Sequence, residues 1–231
     1  MPKSSFMRNK FLPPAPLRTP VLLIVYNRPD LTQQVFNAIR AAKPPKLYVA
    51  ADGINTDRES DEEQVALVRK IATAVDWNCE VKTLFQPVNL GCKRAVIKAI
   101  TWFFDNEGQG IILEDDTVAS PSFFWFCEEM LERFATDERV AQISGFNAMG
   151  NVIDEKSDYF FSNLGSVWGW ATWRRAWRNY DPEMRDWPTV KATDAFRGGY
   201  IIQSLKWQRY VLYDLTYRNK IDTWDFQWAF T

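Results

Sequence analysis

From Val21 onward, unbroken apolar runs of strand length alternate with stretches whose apolar residues recur at helical spacing, and this alternation restricts the fold more than any other feature. Residues 21–25 (VLLIV) form the first run. Tyr26-Asn27-Arg28-Pro29-Asp30 then turns the chain into a segment with Leu31, Val35, Ala38, Ile39 and Ala42 on one helical face, ending before Pro44-Pro45. Residues 46–51 (KLYVAA) predict a second strand ending at Asp52-Gly53, and residues 60–75 a helix opened by a Ser-x-x-Glu capping box from Ser60 to Glu63. A third strand is expected over 80–84, a helix from Asn89-Leu90-Gly91 to about Phe104, and a fourth strand over 110–113 (GIIL) that runs directly into Glu114-Asp115-Asp116. A helix over 122–134 and a short strand over 141–144 follow. Strands that are apolar throughout are buried on both faces, so the expected class is α/β, with a mostly parallel central sheet flanked by helices. Ligands of such sheets bind beyond the carboxyl ends of the strands. Those ends carry Tyr26-Asn27-Arg28, Asp52-Gly53 and the acidic triplet.

Composition narrows the chemistry. The 231 residues, 46% hydrophobic and 15% aromatic, suffice for a single well-packed domain. Lys and Arg number 28 against 29 Asp and Glu, a balance that argues against nucleic acid as a partner. There is no histidine, which excludes Ser-His and Cys-His nucleophiles, an imidazole base and histidine-rich zinc sites. Acid-base work therefore falls to carboxylates, Lys, Tyr or Cys. Cys79, Cys92 and Cys127 are too few and too scattered for a disulfide framework or a zinc ribbon, which fits a reducing, cytoplasmic setting. No apolar run approaches the ~20 residues of a membrane span. Residues 1–19 hold Lys3, Arg8, Lys10 and Arg18, no acid and several prolines, and read as a flexible basic tail; weak peripheral contact with anionic lipid is the alternative.

Past Asn147 the pattern changes. Residues 166–177 (SVWGWATWRRAW) hold four tryptophans at spacings too irregular for one helix face, a helix is expected over 205–217, and residues 221–231 are apolar and aromatic to the last position. That ending reads as a chain cut short, with a buried C-terminal helix as the alternative.

Glu114-Asp115-Asp116 is the sharpest site candidate. Three adjacent carboxylates repel one another, so a fold gathers them where a cation compensates, and oxygen-only ligands suit Mg²⁺ or Mn²⁺ bridging a diphosphate. The plainer reading is an acidic cap ahead of the helix at Pro121. Asp52 is placed to accept the imide N–H of a uracil, or to make an ordinary Asp-Gly turn. Tyr26, Asn27 and Arg28 can contact base, ribose and phosphate, or merely start a helix. Lys93 and Arg94, near a helix N-terminus, can meet a diphosphate or form a solvated basic face. Most of the tryptophans are expected in the core, with Trp168 or Trp170 exposed as a sugar platform. Asp222 reads as a helix N-cap, whereas Asp225, between Trp224 and Phe226, is the candidate base for an attacking hydroxyl.

Together these motifs resemble the GT-A nucleotide-diphospho-sugar transferases. VLLIVYNRPD, AADG, NLGCKRAV and IILEDDTVASPSFF match, in order, the landmarks of family 2-like glycosyltransferases. The Glu-Asp-Asp triplet followed by Pro-Ser-Phe-Phe, the Trp168-Gly169-Trp170 segment and the W-D-x-x-W of Trp224 to Trp228 look like the N-acetylglucosaminyltransferase I group. The likeness spans about Thr19 to Thr231. It implies a GT-A fold over 20–231, with a nucleotide-sugar half (20–146) and an acceptor-side half (147–231) of mixed structure. It further implies that Asp116 binds the metal, that Asp115 and Glu114 contact ribose or base-side groups, that Asp52 meets the base, and that Asp225 is the catalytic base. The family pattern at that last place is W-D-D-W; this chain has Trp-Asp-Phe-Gln-Trp.

The expectation is therefore a metal-dependent, inverting glycosyltransferase that moves a sugar from a UDP-linked donor to a glycan or lipid-linked acceptor. A sugar-nucleotide pyrophosphorylase is a rival, but it is expected to carry a glycine-rich loop after the first strand, and YNRPD has no glycine. A non-catalytic carbohydrate-binding module on the same fold is the rival from another class. A calcium module fits least, since the triplet lacks EF-hand spacing.

Overall fold

The computed structural model describes residues 11–147, 158–163, 165–193 and 203–231. In chain order the elements are β1 (Val21–Val25), α1 (Pro29–Ala42), β2 (Lys46–Ala51), α2 (Asp61–Ala72), β3 (Glu80–Phe85), α3 (Cys92–Asn106), β4 (Gln109–Glu114), α4 (Pro121–Arg133), β5 (Gln142–Ser144), β6 (Trp170–Trp173), α5 (Arg174–Trp177), α6 (Trp187–Val190), α7 (Gln203–Tyr217) and α8 (Asp225–Phe230). The strands form one six-stranded sheet in the order β3-β2-β1-β4-β6-β5. The first four are mutually parallel, and β6 runs antiparallel to both β4 and β5.

The unbroken apolar runs have a direct physical cause. Side chains alternate across a strand, so a strand covered on both faces needs apolar residues at every position. Val21, Leu23 and Val25 of β1 enter a core with Val35, Phe36 and Ile39 of α1, Val68 of α2 and Leu131 of α4. Leu22 and Ile24 enter a second core with Val96, Ala99, Ile100 and Phe103 of α3 and the tryptophans 170, 177, 224 and 228. The positions in α3 recur at steps of three and four, the helical period that faces one stripe to the sheet.

This division of helices creates the crevice. From β1 the chain steps outward through α1 to β2 and through α2 to β3, then returns through α3, on the other face, to β4 on the opposite side of β1. The direction of winding reverses between β1 and β4, and at such a switch point the connecting loops part. The two strand ends at that point lead into Tyr26-Asn27-Arg28 and Asp115-Asp116.

Several local expectations are corrected. Ser60 has a left-handed backbone (φ 63°) and makes no side-chain cap, so the capping box is not formed; the carboxylate of Asp61 turns to Tyr26, Asn27 and Asn55 instead. Asp222 does not cap α8, whose N-cap is Trp224. Residues 11–19, read as part of a loose tail, lie along α4: one oxygen of Glu128 accepts from the backbone N–H groups of Arg18 and Thr19 and from the Thr19 hydroxyl, and the Trp125 indole donates to the Ala15 carbonyl. Lys3, Arg8 and Lys10 lie outside the described residues. The Trp-rich segment contains an unforeseen strand, β6. The aromatic chain end forms α8, a short helix with Gln227 and Trp228 buried. Among the described residues no helix is long and apolar enough to cross a membrane.

Candidate functional site

Arg28 and the acidic triplet meet across the switch-point crevice. The Arg28 fork grips Asp115 through Nε and Nη2, and its Nη1 donates to Asp116 at 3.0 Å. The backbone N–H of Tyr26 also reaches Asp115. The two aspartates differ sharply in access: the Asp115 side chain is 4% exposed and that of Asp116 is 49% exposed. Asp115 therefore anchors the arginine, while Asp116 faces outward.

Glu114 lies deeper. Burial, then the charges of Asp116, Asp115 and Asp225, push its carboxyl up to about 7, and Arg28 offsets only part of this. One guanidinium thus serves a cluster with an uncompensated excess of negative charge.

Asp225 comes to this cluster from the far end of the chain, and its aromatic neighbours explain how. Trp224 and Trp228 pack on the fully buried Trp170, at ring-centroid distances of 5.8 and 5.5 Å. The Tyr180 hydroxyl donates to the Trp224 carbonyl at 3.1 Å, and the Trp228 indole donates to Gln142 Oε1 at 2.7 Å. These contacts fix the first turn of α8, and Asp225 is its first residue. The Thr223 hydroxyl donates to Asp225. The charge of Asp225 acts on Glu114 and also on Cys92 at the start of α3. Asp225 also lines a broad groove bounded by Phe146, Phe161, Ser166, Trp168 and Phe226, so a carboxylate on the groove wall is within electrostatic reach of the triplet.

Other expected site residues are placed differently. Trp170 is corrected: at 0% exposure it has no face to offer a sugar, because β6 turns it into the sheet core. Trp168 is 65% exposed, its ring 5.0 Å from that of Phe146 on the groove wall. Tyr26 and Asn27 donate to the buried Asp61, at 2.9 and 2.6 Å. Burial would raise the Asp61 carboxyl, but the bonds from the Asn55 backbone, Asn27 and Tyr26 outweigh it and hold it below the usual range; burial and the Asp61 bond push the Tyr26 phenol up to about 12. Sequence reasoning misses Asp61, since in Ser-Asp-Glu-Glu it looks like any acid in a helix first turn. At Asp52 the Asp-Gly turn, the alternative reading, is formed: its carboxylate accepts from the backbone N–H groups of Gly53, Leu90 and Gly91 at 2.8, 2.9 and 3.2 Å. It closes the loop ahead of α3. Lys93 and Arg94 lie in the first turn of α3 with no ion-pair partner among the described residues.

Gly53 is required where that loop passes β2. A Cβ on it would stand 2.2 Å from the backbone carbon of Val88. Gly53→Ala therefore forces the 86–91 loop outward, and we expect a loss of about 1–3 kcal/mol in urea unfolding. A variant as stable as the parent would show that the loop yields freely.

The fit of a divalent ion rests on the donor set. Among the described residues no three acidic or thiol side chains converge as a ready-made cage. Asp116 offers one half-exposed carboxylate beside the excess negative charge. Mg²⁺ and Mn²⁺ in phosphate sites take one or two carboxylates, with phosphate and water completing the shell, and the residues present fit that arrangement.

No protein-family model matches the chain, and no curated protein matches it. Among solved structures, the chain is similar to the crystal structure of 4-diphosphocytidyl-2C-methyl-D-erythritolsynthase from Anaerococcus prevotii DSM 20548, with a TM-score of 0.38, 9% identity, and coverage of 68% of this chain and 72% of that one.

Proposed function

We propose that the chain is a GT-A-type glycosyltransferase that moves a sugar from a nucleoside-diphosphate donor, UDP-linked by preference, to a hydroxyl of a glycan or lipid-linked acceptor. The observation that carries this reading is the position of Asp225, which lines the groove and whose charge reaches Glu114 of the triplet. A transferase needs a proton acceptor at the boundary between donor and acceptor, and this chain has no histidine to supply one.

In this reading the donor diphosphate enters the switch-point crevice, where Asp116 would hold Mn²⁺ or Mg²⁺. A bound divalent ion supplies charge neutralisation for the departing diphosphate. Lys93 and Arg94, at the N-terminal turn of α3, add positive charge at the positive end of the helix dipole. Trp168 offers a face on which an acceptor sugar stacks. Asp225 takes the proton of the acceptor hydroxyl as its oxygen attacks the anomeric carbon from the groove side, so a single displacement inverts that centre.

The test is a thermal-shift titration with UDP, GDP, CDP and dTDP, each with and without Mn²⁺, on the parent chain and on Asp116→Ala. Ligand at 100 times its Kd adds about 2.7 kcal/mol to apparent stability. A UDP shift that needs Mn²⁺ and is lost in Asp116→Ala supports the donor site. No shift with any nucleotide under either condition overturns it in favour of a binding module.

A further inference from the structure

Asp116 is the half-exposed carboxylate of the triplet, yet it is already engaged. Arg28 Nη1 donates to it at 3.0 Å, while Nε and Nη2 of the same guanidinium hold Asp115. The two contacts are unequal. Asp115 is buried, so releasing it would strand an unpaired charge away from water. Asp116 and Arg28 are both about half exposed, and their separation costs little because water replaces each partner. The fork can therefore keep Asp115 and let Asp116 go.

We propose that Arg28 is an internal counter-cation that holds the place of a divalent ion at Asp116 in the ligand-free chain and yields that carboxylate when the metal arrives. This rests on the donor-site reading above and extends it to the order of events. Metal alone must compete with a guanidinium already in contact with Asp116, so it binds weakly. A metal that arrives with a diphosphate would bring Arg28 a replacement anion, because Nη1, freed from Asp116 while the guanidinium stays hinged on Asp115, would be available to a phosphate. Metal and nucleotide then reinforce each other's binding, and such coupling is reciprocal. Arg28 acts here as a positioning residue.

The decisive measurement is the binding of Mn²⁺ alone, followed by the paramagnetic resonance signal of free Mn²⁺, to the parent chain, Arg28→Gln and the double variant Arg28→Gln with Asp116→Asn. Glutamine keeps an N–H for Asp115 and removes the cation. Arg28→Gln removes a unit positive charge in direct contact with the Asp116 carboxylate, so we expect it to bind Mn²⁺ about tenfold tighter or more. The double variant is expected to lose that gain, and Arg28→Gln to bind UDP with Mn²⁺ more weakly than the parent. A merely structural arginine would not tighten metal binding when removed. Mn²⁺ affinity unchanged or weakened in Arg28→Gln, or a gain that survives the loss of Asp116, overturns the proposal. Should Arg28→Gln fail to fold, Arg28→Gln with Asp115→Asn is compared with Asp115→Asn alone, so that loss of the buried anion is common to both and the effect of the cation is isolated. The two readings fail separately. If UDP with Mn²⁺ stabilises the parent but Arg28→Gln shows no metal gain, the donor site stands and the counter-cation falls. If the gain is present but no nucleotide binds, the counter-cation stands and the nucleotide assignment falls.

Discussion

For the proposed glycosyl transfer, an Asp225→Asn variant is expected to be about 10²–10⁴-fold slower than the parent, the range general-base catalysis contributes, while the stabilisation by UDP and Mn²⁺ proposed for the parent is kept. The amide oxygen still accepts from the Thr223 hydroxyl, and Trp224 and Trp228 still anchor α8 on Trp170, so the substitution removes the proton acceptor without moving the helix. The assay is UDP release, with acceptor present, from whichever sugar nucleotide the binding screen selects. The change should appear in kcat rather than in KM for the donor, because the lost interaction belongs to the transition state. A variant that keeps a third or more of the parental kcat would exclude Asp225 as the base and direct attention to Asp222, whose charge also reaches Cys92.

The parallel half of the sheet was legible because its information is local. Runs such as VLLIV and GIIL, with turn residues after them, identify buried parallel strands, and a parallel sheet brings their polar ends to one edge. The prominence of the triplet followed from that register alone. The partner of the triplet did not. That the cation nearest Asp115 and Asp116 is Arg28, 87 and 88 positions earlier, depends on the pairing of β1 with β4, a long-range choice that no local pattern states.

Two kinds of side-chain role are ones that only burial reveals. Asp52, Tyr26 and Asn27 sit at strand ends where ligand contacts are expected, yet the structure commits them to loop closure: Asp52 to three backbone N–H groups, and the other two to Asp61. A turn that must bend sharply beside a crevice leaves backbone donors unpaired, and an adjacent carboxylate satisfies them more cheaply than water can. The tryptophans illustrate the converse. Trp168 and Trp170 are two residues apart and hence point the same way in an extended strand, but β6 begins only at Trp170 and Gly169, with φ 73°, breaks the alternation ahead of it. One ring stays on the groove wall, and the other enters the core.

Glu114 yields the second large effect, one of stability against pH. Its carboxyl titrates near 7 in the folded chain against 4.5 for the ordinary side chain, so the folded state holds a proton that the unfolded state has lost. A carboxyl raised in this way contributes its stabilisation in full below pH 4.5 and loses it as pH rises through about 7. The shift corresponds to roughly 2–3 kcal/mol once partial access to water is allowed for. In EDTA, which keeps stray cations from the cluster, we therefore expect the parent chain to lose about that much stability relative to Glu114→Gln between pH 4.5 and 8, measured by urea unfolding at each pH. Glutamine keeps the shape and cannot ionise, so at pH 8 the variant should be the more stable of the two by comparison with their difference at pH 4.5. Parallel profiles for the two proteins would mean that Glu114 ionises as an exposed carboxylate does, and that its neighbours Asp115, Asp116 and Asp225 impose no net charge excess on it. A divergence with the opposite sign, the variant losing ground as pH rises, would mean that the ionised Glu114 is the form the fold prefers and that an unrecognised cation lies beside it.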